Sequence, residues 1–244
     1  MGKFRILAND GIDDTGKAML EAAGFEVVTD HHKVDDLAGQ LNYFDVITVR
    51  SATQVRQSLI DGCPNLKVIG RGGVGMDNID VMYAREKGLA VYNTPAASSR
   101  SVAELVIAHA FTLSRKLQVA NRAMPVSGQT DFAKLKKQCS EGFELMGKTM
   151  GIIGFGRIGQ EVAKIAFGLG MDVVAMDPFV KEAKLDMKIH GGSSVSVQIQ
   201  TVELDSLFAQ SDIITIHIPK ADKPVIGIAE LEKLKRGVLL INTA

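Results

Sequence analysis

Seven positions in this chain have types and spacing suited to chemistry: Gly154, Phe155, Gly156, Arg157, Ile158 and Gly159 in a row, and an acid at Asp177. Glycines at the first, third and sixth places of such a run each have a physical use. Gly154 permits a tight turn, Gly156 lets backbone approach a pyrophosphate, and Gly159 lets a helix pack close to a strand. A helix that starts here offers free N–H groups and the positive end of its dipole to phosphate oxygens. Asp177 falls 18 residues past Gly159, near the usual spacing of about 20 for an acid that accepts hydrogen bonds from a ribose. Its charge would repel a 2′-phosphate, so the pattern favours NAD over NADP.

Such a run of glycines is weak evidence without the elements that must position it. Thr149 to Ile153 is a short apolar run that reads as a buried strand. Gln160 to Leu169 carries Val162, Ile165, Ala166 and Leu169 at helical spacing, and Gly170 stops that helix. Met171 to Met176 is a second apolar strand ending on the acid. The order strand, glycine turn, helix, strand, acid over about 30 residues separates a dinucleotide site from a glycine-rich turn that binds nothing.

The first hundred residues repeat this alternation. Strands are expected at 4–8, 25–29, 44–49, 66–69 and 89–92, with helices at 13–23, 34–41, 55–60 and 79–87. Alternating strands and helices imply a parallel sheet covered on both faces, whose ligands bind beyond the C-terminal strand ends. Two loops are expected there. Arg50-Ser51-Ala52-Thr53 offers a guanidinium for a carboxylate or phosphate, although Arg50 reads equally well as a surface arginine. Gly72-Gly73-Val74-Gly75 can turn successive N–H groups toward one anion or form a plain tight turn.

A long helix is expected from Ser98–Ser101 to about Ala120, opened by a capping box of Ser101 and Glu104. It is apolar on more than one face, which suggests burial in its own domain and against a second copy of the chain. His109 lies within its apolar stripe and reads as a core histidine. Residues 124–143 read as a polar excursion with a short helix. Beyond the dinucleotide unit, Val195 to Val202 alternates as a strand, Leu204 to Ala209 is a helix, and Asp212 to Ile216 is a strand leading into His217-Ile218-Pro219. Ala229 to Leu234 is a helix and Val238 to Ile241 a last strand, followed by Asn242-Thr243-Ala244.

Composition narrows the classes. Of 244 residues 46% are hydrophobic, enough for a sizeable core, and 28 basic residues balance 28 acidic ones. That balance, without a basic tract, argues against nucleic-acid binding. Two cysteines, Cys63 and Cys139, fit neither a disulfide framework nor a metal site, so reduced cytoplasmic thiols and no metal are expected. No signal peptide or membrane span is expected.

Several stretches together resemble the D-isomer-specific 2-hydroxyacid dehydrogenases: 70–80 (GRGGVGMDNID), Asn93-Thr94-Pro95 with Ser101-Val102-Ala103-Glu104-Leu105, the GFGRIG loop, His217-Ile218-Pro219, and Leu240-Ile241-Asn242-Thr243-Ala244. Arg50-Ser51-Ala52-Thr53 and residues 96–101 are most similar to the phosphoglycerate dehydrogenases within that family. The resemblance runs through nearly the whole chain. It implies two doubly wound parallel-sheet α/β domains, a flavodoxin-like substrate domain at 1–98 and a Rossmann NAD-binding domain at 99–244. Matching positions imply that Gly154, Gly156, Arg157, Ile158, Gly159, Asp177, His217, Ile218, Pro219, Thr243 and Val74 serve NAD. Arg50, Ser51, Gly73, Val74 and Ser98 would serve the substrate. The implied reaction is NAD-dependent oxidation of a small, phosphorylated 2-hydroxy acid, 3-phosphoglycerate, as in serine biosynthesis. Glyoxylate or hydroxypyruvate reduction, or non-catalytic NAD sensing, are the alternatives. A homodimer through helix 101–120 is expected. The family's catalytic arginine directly follows the Asn-Thr-Ala stretch, and its acid and histidine lie further on, so this sequence is expected to be a C-terminally truncated, inactive member whose cofactor platform is present.

Overall fold

Short runs rich in β-branched and aliphatic side chains form the parallel strands of the computed structural model, which describes residues 4–219 and 223–243. Ala244, the last residue of the Asn-Thr-Ala stretch, lies outside the described residues. The chain divides into two compact units, 1–98 and 99–244.

The first unit alternates strictly: β1 (Arg5–Ala8), α1 (Asp14–Ala22), β2 (Glu26–Val28), α2 (Val34–Leu41), β3 (Val46–Val49), α3 (Gln57–Asp61), β4 (Val68–Arg71), α4 (Val81–Glu86) and β5 (Ala90–Asn93). Its five strands are all parallel in the order β2-β1-β3-β4-β5. Leu7, Ile47 and Ile69 are fully buried in the middle of that sheet, and Leu37, Leu41 and Leu59 from the helices join their cluster. The order reverses between β1 and β3, so the crevice at the strand ends opens there.

The second unit runs α5 (Ser99–Ser114), α6 (Leu117–Ser140), β6 (Thr149–Ile153), α7 (Arg157–Gly168), β7 (Asp172–Met176), β8 (Glu182–Lys188), β9 (Ser194–Gln200), α8 (Leu204–Gln210), β10 (Ile213–Ile216), α9 (Ile228–Leu231) and β11 (Leu239–Asn242). Four strands make a parallel sheet in the order β11-β10-β6-β7, again with a reversal point, between β6 and β10. Helices α5 and α7 meet on this sheet through small residues. Ala103 and Ala110 of α5 and Ala163 and Ala166 of α7 are all fully buried in one cluster with Met150 and Ile152. Small side chains let the helix axes approach and bury the sheet face without voids.

Several expectations need correction. The long helix ends at Ser114, because Lys116 takes the left-handed conformation at φ 55°, and a separate 24-residue helix, α6, follows. Residues 117–140, read partly as a polar excursion, are therefore helical, with Pro125 inside and a non-helical Asp131 marking a kink. Helix α5 starts at Ser99, which places Ser101 inside it, and the Glu104 carboxylate accepts from Arg100 Nε at 2.9 Å. His109 is exposed, not core. Finally, the connection from β7 toward α8 is a two-stranded antiparallel hairpin, β8 with β9, where a doubly wound unit usually places a helix. Leu185 and Ile199 of the hairpin are buried in the α5–α7 cluster and perform the covering role of that helix.

Candidate functional site

The glycine loop leaves β6 at the reversal point, and His217-Ile218-Pro219 leaves β10 beside it in register, with His217 N–H donating to Ile153 O at 2.7 Å. Gly154 has φ 92°, and a Cβ there would stand 2.5 Å from His217 O and 3.0 Å from Ile218 Cγ2. A Cβ on Gly159 would stand 2.3 Å from Gly154 O. Both positions are closed to any side chain. Gly156 differs: nothing lies within 4 Å of its would-be Cβ. Its open side is a surface over which a phosphate fits without meeting a side chain.

Gly156 is the N-cap of α7 and has no side chain to cap the helix. Arg157 beside it is exposed and Ile158 half-buried. The first N–H groups of a 12-residue helix therefore face outward at the end of β6, the arrangement that favours an anion. The Gln160 amide folds back onto Phe155 O at 3.0 Å and stiffens the loop.

Asp177, at the end of β7, is committed more heavily than its spacing suggests. Its carboxylate accepts from Phe155 N–H at 2.7 Å, Phe179 N–H at 2.8 Å and Val180 N–H at 3.0 Å. Burial raises its pKa, but the N–H bonds from Phe179, Phe155 and Val180 outweigh that and hold it below the usual carboxylate value. A carboxylate has about four acceptor positions, so three bonds leave one for a ribose hydroxyl. Asp177 also acts as a clamp between the glycine loop and the turn after β7.

The imidazole of His217 is part-buried, its Nε2 2.9 Å from Thr215 Oγ1. Burial pushes its pKa down to about 4, so the ring is neutral at pH 7. Ile218 is half-buried and Pro219 exposed on the same loop. On the far side of β10, the Thr243 hydroxyl at the end of β11 is buried and without a hydrogen-bond partner. An orphaned buried hydroxyl after β11, and an open glycine and uncapped helix start after β6, at strand ends of one sheet, fit a dinucleotide.

The first unit carries the other group. A cavity of about 490 Å³ at the strand ends is lined by Arg50, Arg71, Thr48, Gly72, Asn93 and Thr94, among others. Arg50 is exposed, with Ser51 exposed beside it. No carboxylate pairs with either guanidinium among the described residues, and Arg71 Nε is buried without a partner. Sequence reasoning passed over Arg71; the signal was its place at the end of a strand, immediately before the glycines. Gly73, at φ 150°, lies directly under the Arg71 guanidinium, which a Cβ would overlap. Its N–H donates to Thr94 Oγ1 at 2.8 Å and its carbonyl accepts from Thr94 N–H at 3.0 Å. The Gly72 N–H donates to Val49 O. The run of glycines is thus partly a tied turn, with Val74 and Gly75 left to present N–H groups. Asn93 Nδ2 holds Val74 O at 2.7 Å, and the Val74 side chain is exposed. Ser98, half-buried, is the last residue of this unit.

Residues 107–244 match the family described as D-isomer specific 2-hydroxyacid dehydrogenase, NAD binding domain. The chain is 38% identical over 247 residues to the hydroxypyruvate reductase of Thermotoga maritima, covering all of this chain and 75% of that one. It is 35% identical over 244 residues to the D-3-phosphoglycerate dehydrogenase of Archaeoglobus fulgidus, covering 99% of this chain but only 44% of that protein. The cofactor (NAD+) bound 3-phosphoglycerate dehydrogenase of Entamoeba histolytica superimposes with a TM-score of 0.70 at 26% identity, over 99% of this chain and 70% of that one. The chain therefore belongs to the D-isomer specific 2-hydroxyacid dehydrogenases, a family of NAD-dependent oxidoreductases, and residues 107–244 are its NAD-binding domain.

Proposed function

We propose that this protein works as an NAD-dependent oxidoreductase on a phosphorylated 2-hydroxy acid, 3-phosphoglycerate. The observation that carries the substrate class is the pair Arg50 and Arg71 on one cavity, neither neutralised by a carboxylate and one with a buried donor unspent. A cavity with two arginines suits a doubly charged phosphate better than a lone carboxylate, which one forked pair satisfies. Val74 and Gly75, with Ser51 and Ser98, are assigned to the rest of the substrate. In the NAD domain the reading gives Gly156, Arg157 and Ile158 the pyrophosphate, Asp177 a ribose hydroxyl, and His217, Ile218, Pro219 and Thr243 the cofactor's flank. Gly154 and Gly159 act by leaving space. Bound NAD supplies the hydride acceptor. The chain's own groups bind and align, which is a large part of the barrier reduction in such a reaction. No described residue is assigned the base: His217, neutral and tied to Thr215, is a weak one.

A second reading is reduction of hydroxypyruvate or glyoxylate, favoured by the identity to the Thermotoga hydroxypyruvate reductase over a larger share of that protein. A titration with NADH, followed by rates with 3-phosphoglycerate plus NAD and with hydroxypyruvate plus NADH, decides between them. Turnover of 3-phosphoglycerate that Arg50→Ala and Arg71→Ala both raise in KM supports the first. Faster turnover of hydroxypyruvate, indifferent to Arg71→Ala, supports the second. NADH binding without turnover on either fits the inactive cofactor platform expected from the sequence as well as a cofactor-sensing role.

The same reading assigns a homodimer. Helix α5 buries Ala103, Val106, Ile107 and Ala110 but leaves Leu105 and Leu113 about half exposed, and α6 adds Leu117 and Phe132. Two unpaired cysteines support the reading of a cytoplasmic protein. No helix among the described residues is long and apolar enough to cross a membrane.

A further inference from the structure

We propose that Asp10 and Asn78, which no motif above assigns to the site, are positioning residues for the Arg50–Thr53 loop. The inference rests on the reading of Arg50 as an anion anchor. The reversal point of the first sheet lies between β1 and β3, and the loops leaving those two strands carry Asn9-Asp10 and Arg50–Thr53. The Asp10 carboxylate accepts the Arg50 N–H at 2.7 Å and the Thr53 N–H at 3.1 Å through one oxygen, and the Thr53 hydroxyl through the other. From the opposite side the buried Asn78 amide donates to Arg50 O at 2.9 Å and to Thr53 O at 2.7 Å. The loop's first and last residues are each held at both the N–H and the C=O, and all four bonds come from two side chains outside the loop.

This is more than an ordinary tie. Among the described residues no hydrogen bond or ion pair holds the Arg50 guanidinium, whereas its backbone is fixed at both the N–H and the C=O. Among the described residues the Arg50 backbone, from which that side chain reaches into the cavity, is tied by the Asp10 and Asn78 side chains. Asp10 is in turn braced. Asn9, 1% exposed, donates from Nδ2 to Thr53 Oγ1 at 2.8 Å and accepts from His32 N–H at 2.8 Å. A loop left to solvent does not need a buried asparagine and a carboxylate to specify it, whereas a guanidinium aimed at an anion does, because a small displacement of an anchor costs much of its interaction.

The experiment is a double-mutant cycle on the full 244-residue chain. Calorimetry measures 3-phosphoglycerate and inorganic phosphate binding to wild type, Asp10→Ala, Asn78→Ala, Arg50→Ala and the two doubles with Arg50→Ala. NADH affinity and thermal midpoint are measured in parallel. The expected result is a loss of about tenfold for Asp10→Ala and Asn78→Ala in the wild-type background and less than twofold in the Arg50→Ala background, since each acts through Arg50. NADH affinity stays unchanged. Asp10→Asn recovers most of the loss, because its oxygen can still accept both N–H groups while its amide donates to Thr53 Oγ1. Equal losses in both backgrounds, or losses that track the thermal midpoint and NADH affinity together, reduce the pair to a structural tie and overturn the inference. So does an absence of any Arg50-dependent phosphate binding. Failure of the proposed function shows elsewhere, as absent NADH binding or as turnover of unphosphorylated acids only.

Discussion

His217 carries a pH dependence that reports on its burial. Its folded pKa is about 4 against an ordinary value of 6.5. Above pH 6.5 both folded and unfolded chains hold it neutral. As pH falls toward 4 the unfolded chain takes up a proton that the folded chain refuses, so stability drops across that window. The full effect is at most about 3 kcal/mol, and less to the extent that water reaches the ring. Urea unfolding at pH 7 and pH 4.5 should show that loss in wild type and a smaller one in His217→Gln, whose amide can keep the Thr215 bond. An unchanged pH slope in the variant removes His217 as the cause. Asp177 makes a second residue-scale prediction. Asp177→Ala should weaken NADH binding and narrow the preference over NADPH. It should also cost about 1–2 kcal/mol of folding stability, because three N–H groups lose their acceptor. A variant that binds NADH as wild type does would show that the acid only holds the loop. The spacing of Asp177 was legible in sequence because it follows from strand and helix lengths. Its three backbone bonds were not, because they depend on the turn at 178–180 folding back, which spacing does not encode.

At the scale of elements, the strand–loop–helix unit separates stability from binding among its own glycines. A Cβ at Gly159 meets backbone at 2.3 Å and one at Gly154 meets it at 2.5 Å with a left-handed φ. Gly159→Ala and Gly154→Ala should therefore lower the thermal midpoint by several degrees and abolish NADH binding with it. A Cβ at Gly156 meets nothing and φ there is −74°. Gly156→Ala should keep folding stability within about 0.5 kcal/mol of wild type while lowering NADH affinity at least tenfold. Tight NADH binding by that variant would show that the pyrophosphate does not cross this glycine. The β6–α7–β7 unit could be read from sequence because a buried parallel strand and an amphipathic helix leave distinct periodicities. The β8–β9 hairpin was half read. Glu182, Lys184, Asp186 and Lys188 alternate with Ala183, Leu185 and Met187, a strand pattern, but dense charge on the outward face hides it. Helix α6 was under-read for a related reason. Among its residues with described burial only Leu135 is buried, so it has almost no apolar stripe toward its own unit, and Pro125 argues against a helix that nonetheless forms.

At the scale of the molecule, both units use one rule twice. Each is a parallel sheet with a reversal of strand order, and in each the chemistry-bearing loops leave the two strands that flank it: Asp10 and Arg50 in the first, the glycine loop and His217 in the second. Alternation alone implied a parallel sheet with ligands beyond its strand ends, whereas the place of the reversal comes from the strand order. What alternation does not determine is the partner of the outer face of α5 and α6. Leu105, Leu113, Leu117, Val126 and Phe132 are 46–86% exposed, and the net charge of the chain is zero, so no long-range repulsion keeps copies apart. A chain in that condition either covers the face with a defined partner or associates without limit. Self-pairing of helices is a closed solution and buries the side chains on both copies at once. Light scattering at micromolar concentration should therefore give a single species at twice 26.2 kDa, and Leu113→Asp with Phe132→Asp should return it to 26.2 kDa with NADH binding retained. A monodisperse monomer in the unmodified chain would remove the dimer. Polydisperse growth that the same two substitutions suppress would place the exposed face correctly but deny it the two-fold partner.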